Sequence, residues 1–245
     1  MLFVLSVLAQ PARVRVLTYN IHHGEGTDSK LDIARIAAVI QSVDPDFVAV
    51  QEVDVHTARV AGADLAHQLA DRTGLHVVFG KTIDHQGGWY GNALLSRWPL
   101  HGFVNHPFPF TTKREPRAVI EGLTGGGFRL FATHLDITEP DRLLATARLA
   151  ELVAAQPAGL PMILAGDLNA PPGSTTMNAL LQNWSSAALE APLLTSPAPK
   201  PTRQIDYILF RPANRWRVVE VRVLDEPVAS DHRPLFAVLE LVEIK

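Results

Sequence analysis

Short β-rich apolar runs, each closed off by turn residues, recur along almost the whole chain, and only a few helical segments interrupt them. Strands are predicted over residues 14–19, 47–51, 77–79, 93–96, 102–105, 119–123, 128–133, 162–165, 205–210, 216–224 and 235–241. The runs 119–123 and 128–133 read as a hairpin turned at Gly125, Gly126 and Gly127. Helical periodicity marks residues 31–40, with N-cap chemistry offered by Asp28 and Ser29. Two more helices are predicted, over 63–72, stopped by Gly74, and over 141–155. Many strands with helices between them predict an α/β fold of two sheets covered by helices. The Pro-rich stretch 191–201 (APLLTSPAPKP) is predicted as a surface loop, since so many prolines cannot sit in a paired strand.

With 47% hydrophobic residues the chain has ample core material, and residues 13–245 read as one domain. Residues 1–12 stand apart: the apolar run Met1–Ala9 before Gln10-Pro11-Ala12 resembles the end of an export signal but lacks its basic start. An extra hydrophobic strand is the alternative, and no other stretch is apolar enough to cross a bilayer. The formal charge of −3 provides no global positive field for nucleic acid or an anionic membrane. The absence of cysteine excludes disulfides, thiolate catalysis and Cys-ligated zinc.

The chemistry-bearing residues concentrate at the ends of apolar strands. Six such ends matter: Asn20 after VRVL, Glu52 after FVAV, His134 after RLFA, Asp167 and Asn169 after MILA, Asp206 before YILF, and Asp231-His232 before RPLFAVLEL. Any one alone is more often a turn-former or a cap. Together their types fit one reaction. Hard oxygen ligands such as Glu52 and Asn20 suit Mg²⁺, with Mn²⁺ or Ca²⁺ as alternatives. An Asp–His couple handles protons near neutral pH, and Asn, His and Arg side chains neutralise charge on a pentavalent phosphorus.

The strings TYNIHHG, QEVD, GNALLSRWP, ATHLD, AGDLNAPP, IDYILF and SDHRPLFA, in this order, resemble the endonuclease/exonuclease/phosphatase superfamily, which includes deoxyribonuclease I-like nucleases. The resemblance spans nearly the whole chain and implies a four-layer α/β sandwich, two packed mixed sheets with helices outside. It also implies roles. Glu52 matches the principal metal ligand, with Asn20 beside it and Asp231 as a further ligand or ligand support. His232 matches the general base or a transition-state contact, oriented by Asp206. Asp167 and Asn169 match the pair that positions the attacking water, and His134 a histidine that assists the leaving group. Asn92 matches a phosphate-side asparagine, Arg117 is a candidate phosphate clamp, and Tyr90, just before Asn92, is expected to line the substrate pocket. Where apurinic endonucleases carry an aspartate two residues after the asparagine, this chain has His22. The pair His22-His23 is left as solvated loop residues, a phosphate contact or part of a second metal site.

The expected activity is hydrolysis of a phosphate mono- or diester, a small molecule or lipid headgroup rather than nucleic acid, by in-line attack of water. A deoxyribonuclease-like activity is the alternative, and a non-catalytic scaffold is disfavoured because every expected catalytic residue is present. Lys113, Arg114, Arg59 and Arg97 are candidates for steering an anionic substrate. Trp89, Trp98, Trp184 and Trp216 are too scattered to form a stacking platform for bases.

Overall fold

The computed structural model describes residues 13–111, 114–124, 127–188 and 191–242. The N-terminal segment, Lys113 and the Gly125-Gly126 turn lie outside the described residues. One sheet contains β1 (Arg13–Asn20), β2 (Phe47–Val55), β3 (His76–His85), β4 (Gly88–Ser96), β11 (Trp216–Val223) and β12 (Leu235–Leu241), in the order β11-β12-β1-β2-β4-β3. The other contains β5 (Leu100–Pro107), β6 (Ala118–Thr124), β7 (Arg129–His134), β8 (Met162–Asp167), β9 (Ser185–Ser186) and β10 (Asp206–Arg211), in the order β5-β6-β7-β8-β10-β9. Both sheets are mixed: β1 and β2 run parallel, as do β7 and β8, among antiparallel neighbours.

Strand alternation explains the layers. Val14 and Val16 of β1 pack with Ile163 and Ala165 of β8 and Ile208 of β10 in a core between the two sheets. Their neighbours Leu17 and Tyr19 face α1 (Ile33–Gln41) and α2 (Leu65–Thr73), whose Ile36, Ile40 and Leu69 close a second core. On the far side Met162 and Leu164 meet α3 (Glu139–Ala154) and α4 (Thr175–Leu180) through Leu149 and Met177. Strands covered on both faces read as near-continuous apolar runs, which is why these segments stood out in the sequence. The result is the expected sandwich of two sheets with helices outside.

The helices end where the chain supplies caps. Asp64 accepts from the His67 amide at 3.0 Å to start α2, and Gly74, at φ 72, closes it in the left-handed region. For α1 the cap is Asp32, accepting from the Arg35 amide at 2.9 Å, rather than Asp28 or Ser29, which lie in the preceding turn. The short α4 escaped prediction because six residues are too few to show a period. Stretch 191–201 also departs from expectation. Thr195, Ser196 and Ala198 are buried, and Ala198 donates to the Asp231 carbonyl at 2.7 Å. The prolines still keep it out of the sheets, but its polar groups brace the loop that carries His232. Among the described residues no helix is long and apolar enough to cross a membrane.

Candidate active site

Strand register assembles the site. In the parallel pair β7–β8, His134 lies opposite Asp167, and in the antiparallel pair β8–β10, Asp167 lies opposite Asp206. Asn20 closes β1 in the other sheet, and Asn20 Nδ2 donates to Asp167 Oδ2 at 3.2 Å across the two sheets. Close approach of β7 and β8 depends on Gly166, where a Cβ would sit 2.0 Å from the Thr133 carbonyl oxygen. His232 arrives on the loop between β11 and β12. Ser230 fixes that loop, its Oγ donating to the Asn20 carbonyl at 2.7 Å.

His232 Nδ1 bonds Asp206 Oδ2 at 2.9 Å, so the ring proton on that side faces the carboxylate and Nε2 faces the cleft side, 3.8 Å from Asp167 Oδ2. The same Asp206 oxygen accepts from Thr195 Oγ1 at 2.5 Å, while Asp206 Oδ1 is buried without a partner. Burial alone would lower the His232 pKa, but Asp206, Asp167 and Asp231 outweigh it and push it up to about 10. Asp167 is pushed up to about 7 by burial and by Asp206, with Asn169 and Asn20 opposing the rise through hydrogen bonds.

His134 is held in the opposite state. Arg117 Nη1 donates to its Nδ1 at 2.9 Å, so the ring proton belongs on Nε2, 3.3 Å from Asp167 Oδ2. Burial, Arg117 and His232 hold this imidazole well below its ordinary pKa, and it is neutral. Asn169 donates its backbone amide to Asp167 Oδ1 at 2.9 Å and its side-chain amide to the Leu135 carbonyl at 3.0 Å.

Glu52 is aimed by a bulge. Val50 pairs with Ala93 and Val53 with Gly91, so Gln51 and Glu52 together oppose the single residue Asn92, and Glu52 adopts φ 58. Its Oε1 accepts from Asn20 Nδ2 at 2.9 Å. This corner suits a divalent cation. Glu52 and the Asn20 amide are hard oxygen donors, and the adjoining pocket holds an unpartnered Asp206 oxygen and the buried Asp167 carboxyl.

Beside Glu52 lies a cleft of about 270 Å³, walled also by Arg59, His85, Tyr90, Glu115 and Arg117. Arg117 and Tyr90 both line this cleft. Asn92 does not line the cleft; it is buried beneath the bulge register and donates to the Ala118 carbonyl at 3.3 Å. Asp231 joins neither of the two carboxylate–histidine groupings among the described residues, His22/His23/Glu52 and Asp167/Asp206/His232. Its charge acts on His232, helping to raise that ring's pKa. Arg97 is no steering residue either, since Asp44 and Asp46 bind it at 2.7 and 2.8 Å. Arg59 is clamped by the buried Asp54 at 2.5 and 2.7 Å, and Arg114 is exposed. Thr195, Glu115 and His85 went unread in the sequence, because nothing local distinguishes them from ordinary loop and strand polar residues.

Comparison with known proteins adds an independent line. A model of the endonuclease/exonuclease/phosphatase family matches residues 17–232. The uncharacterized protein YbhP of Escherichia coli (strain K12) is 28% identical over 244 residues, covering 93% of this chain and 96% of that protein. The crystal structure of an endonuclease/exonuclease/phosphatase from Beutenbergia cavernae is 25% identical with a TM-score of 0.72, covering 94% of this chain and 72% of that one. A mannosyl-6-phosphatase from Bacteroides thetaiotaomicron, 20% identical, shares the fold with a TM-score of 0.74 over 94% of this chain and 100% of that one.

Proposed function

Because this chain belongs to the endonuclease/exonuclease/phosphatase family, whose members include phosphatases, nucleases and phosphodiesterases, we propose that it is a divalent-metal-dependent phosphoesterase acting on a small molecule or a lipid headgroup. The observation that carries the reading is the convergence of Asp167, Asp206 and His232, with one ligand atom of each within 4.8 Å of the others, next to Asn20 and Glu52. Strand register forces this buried carboxylate pair together beside a histidine, the kind of arrangement by which active sites tune their acids and bases.

Glu52 and Asn20 would hold a magnesium-type ion, which supplies Lewis-acid polarisation of a phosphoryl oxygen when bound. The chain's own residues do the rest. His232, charged at neutral pH, places a cation where negative charge grows on phosphorus. Asp167, with its carboxyl at about 7, is poised to take the proton of the attacking water, and Asn169 holds its orientation. His134, neutral with its proton on Nε2, acts as a hydrogen-bond donor rather than as an acid. Water adds to phosphorus opposite the leaving oxygen, the P–O ester bond breaks, and the alkoxide leaves with a proton from solvent or from this cluster.

The small-substrate preference is supported by the cleft. Its two arginines are each paired with a carboxylate, Arg59 with Asp54 and Arg117 with Glu115 at 2.8 Å. Such a wall selects a compact ester and gives little pull on a polyanion. The test is hydrolysis by the metal-stripped chain resupplied with Mg²⁺. The panel comprises bis-p-nitrophenyl phosphate, sugar and lipid-headgroup phosphates, and supercoiled DNA, with His232→Ala as control. Turnover of small esters with intact DNA supports the reading; metal-dependent nicking that is lost in the variant replaces it with a nuclease.

A further inference from the structure

We propose that His22, His23 and Glu52 form a binding site for a zinc-class transition ion beside the oxygen-rich pocket around Asp167, with Glu52 shared between the two. The segment joining β1 to α1 turns so tightly that His22 and His23 both take the left-handed conformation, at φ 44 and 45, with their rings edge to face 4.5 Å apart. The β2 bulge brings Glu52 to meet them, and one ligand atom from each of the three residues lies within 4.8 Å of the others. Two side-chain imidazoles and one carboxylate are the donor set that zinc and its neighbours take, whereas Mg²⁺ seeks oxygen.

The hydrogen bonds around the two rings are those of metal ligands. His22 Nδ1 lies 3.1 Å from the Glu25 carbonyl, which can only accept, so Nδ1 carries the proton and Nε2 keeps a bare lone pair. His23 Nε2 lies 3.5 Å from the Glu25 carboxylate, and His23 Nδ1 is buried with no partner. A neutral ring with its proton directed at Glu25 thus has an unsatisfied acceptor inside the protein, which bound metal would satisfy. Arg59, the cation beside His23, is already engaged by Asp54 through two bonds, which leaves the Glu52 carboxylate to the two imidazoles.

The full-length chain would be stripped with chelator, titrated calorimetrically with Zn²⁺ in excess Mg²⁺, and followed with Co²⁺ by its visible absorption. One ion per chain is expected, with a Co²⁺ spectrum showing imidazole ligation. His22→Asn, in which asparagine tolerates the positive φ, and His23→Asn should each weaken Zn²⁺ binding about 100-fold or more. His232→Asn should leave it within a few-fold. Circular dichroism of the metal-free variants checks folding, and if His23→Asn does not fold, His22→Asn alone decides. Binding unchanged in the folded His22 variant, or lost in His232→Asn, overturns the site. Mg²⁺-supported ester hydrolysis is measured in parallel, because its failure with zinc binding intact would refute the phosphoesterase reading and leave this one standing.

Discussion

Thr195 donates its hydroxyl to Asp206 Oδ2 at 2.5 Å, on the same oxygen that holds His232. A residue of the Pro-rich loop therefore fixes the carboxylate that orients the site's histidine. Thr195→Val keeps shape and removes the donor. It is expected to cost about 1–3 kcal/mol of stability and to lower kcat about tenfold with little change in KM, while Thr195→Ser retains most of the rate. Denaturant unfolding and steady-state kinetics on a turned-over ester check both effects.

His232→Ala should lower the hydrolytic rate by about 10²- to 10⁴-fold, with the fold intact by circular dichroism. Near-normal turnover in that variant would remove His232 from the chemistry.

The metal-free protein should lose stability as pH rises. His232 keeps its proton up to about 10 in the folded chain, against 6.5 as its ordinary value. Below that ordinary value His232 is protonated in both states and its contact to Asp206 contributes in full. Between the two values the folded state binds the extra proton, so stability falls with pH and the contribution is gone above about 10. Asp167, raised from 3.8 to about 7, adds a fall of the same sign in its lower window. His232→Gln should flatten the upper window, as measured by urea midpoints across pH.

Gly166→Ala should destabilise strongly. The added Cβ would lie 2.0 Å from the Thr133 carbonyl oxygen, and two ladder strands cannot part without moving His134 and Asp167. A loss of about 3 kcal/mol or more is expected, together with loss of activity in the remaining folded protein.

Asp54→Asn removes the fully buried partner of Arg59, whose own side chain is 28% exposed. Stranding that charge should cost about 2–4 kcal/mol, below the cost of breaking a wholly buried pair because water reaches Arg59. It should also raise KM more than it lowers kcat, since Arg59 walls the substrate cleft. Thermal unfolding and kinetics together test this.

The apolar runs specified the central strands, because the interiors of β2, β7, β8 and β10 are covered on both faces and tolerate little else. Motif order told more: GDLN and SDHRP placed Asp167, Asn169 and His232 at strand ends before any coordinates, and those ends do meet at one rim. What the sequence determined was which residues close each strand. It did not determine which strand ends oppose one another, since register is a property of pairs of segments far apart in the chain.

That decision belongs to the tertiary structure. The pairing of Asp206 with Asp167 and of His134 with Asp167 sets the raised carboxyl and the neutral imidazole, and both shifts come from burial and neighbours rather than from residue type. Thr195 in its loop carries no local signature of its role, and the motifs that mark Asn92 and Asp231 do not show what each touches. Their contacts arise only when the two sheets close on each other, which is why the chemistry was legible from the sequence and its electrostatic tuning was not.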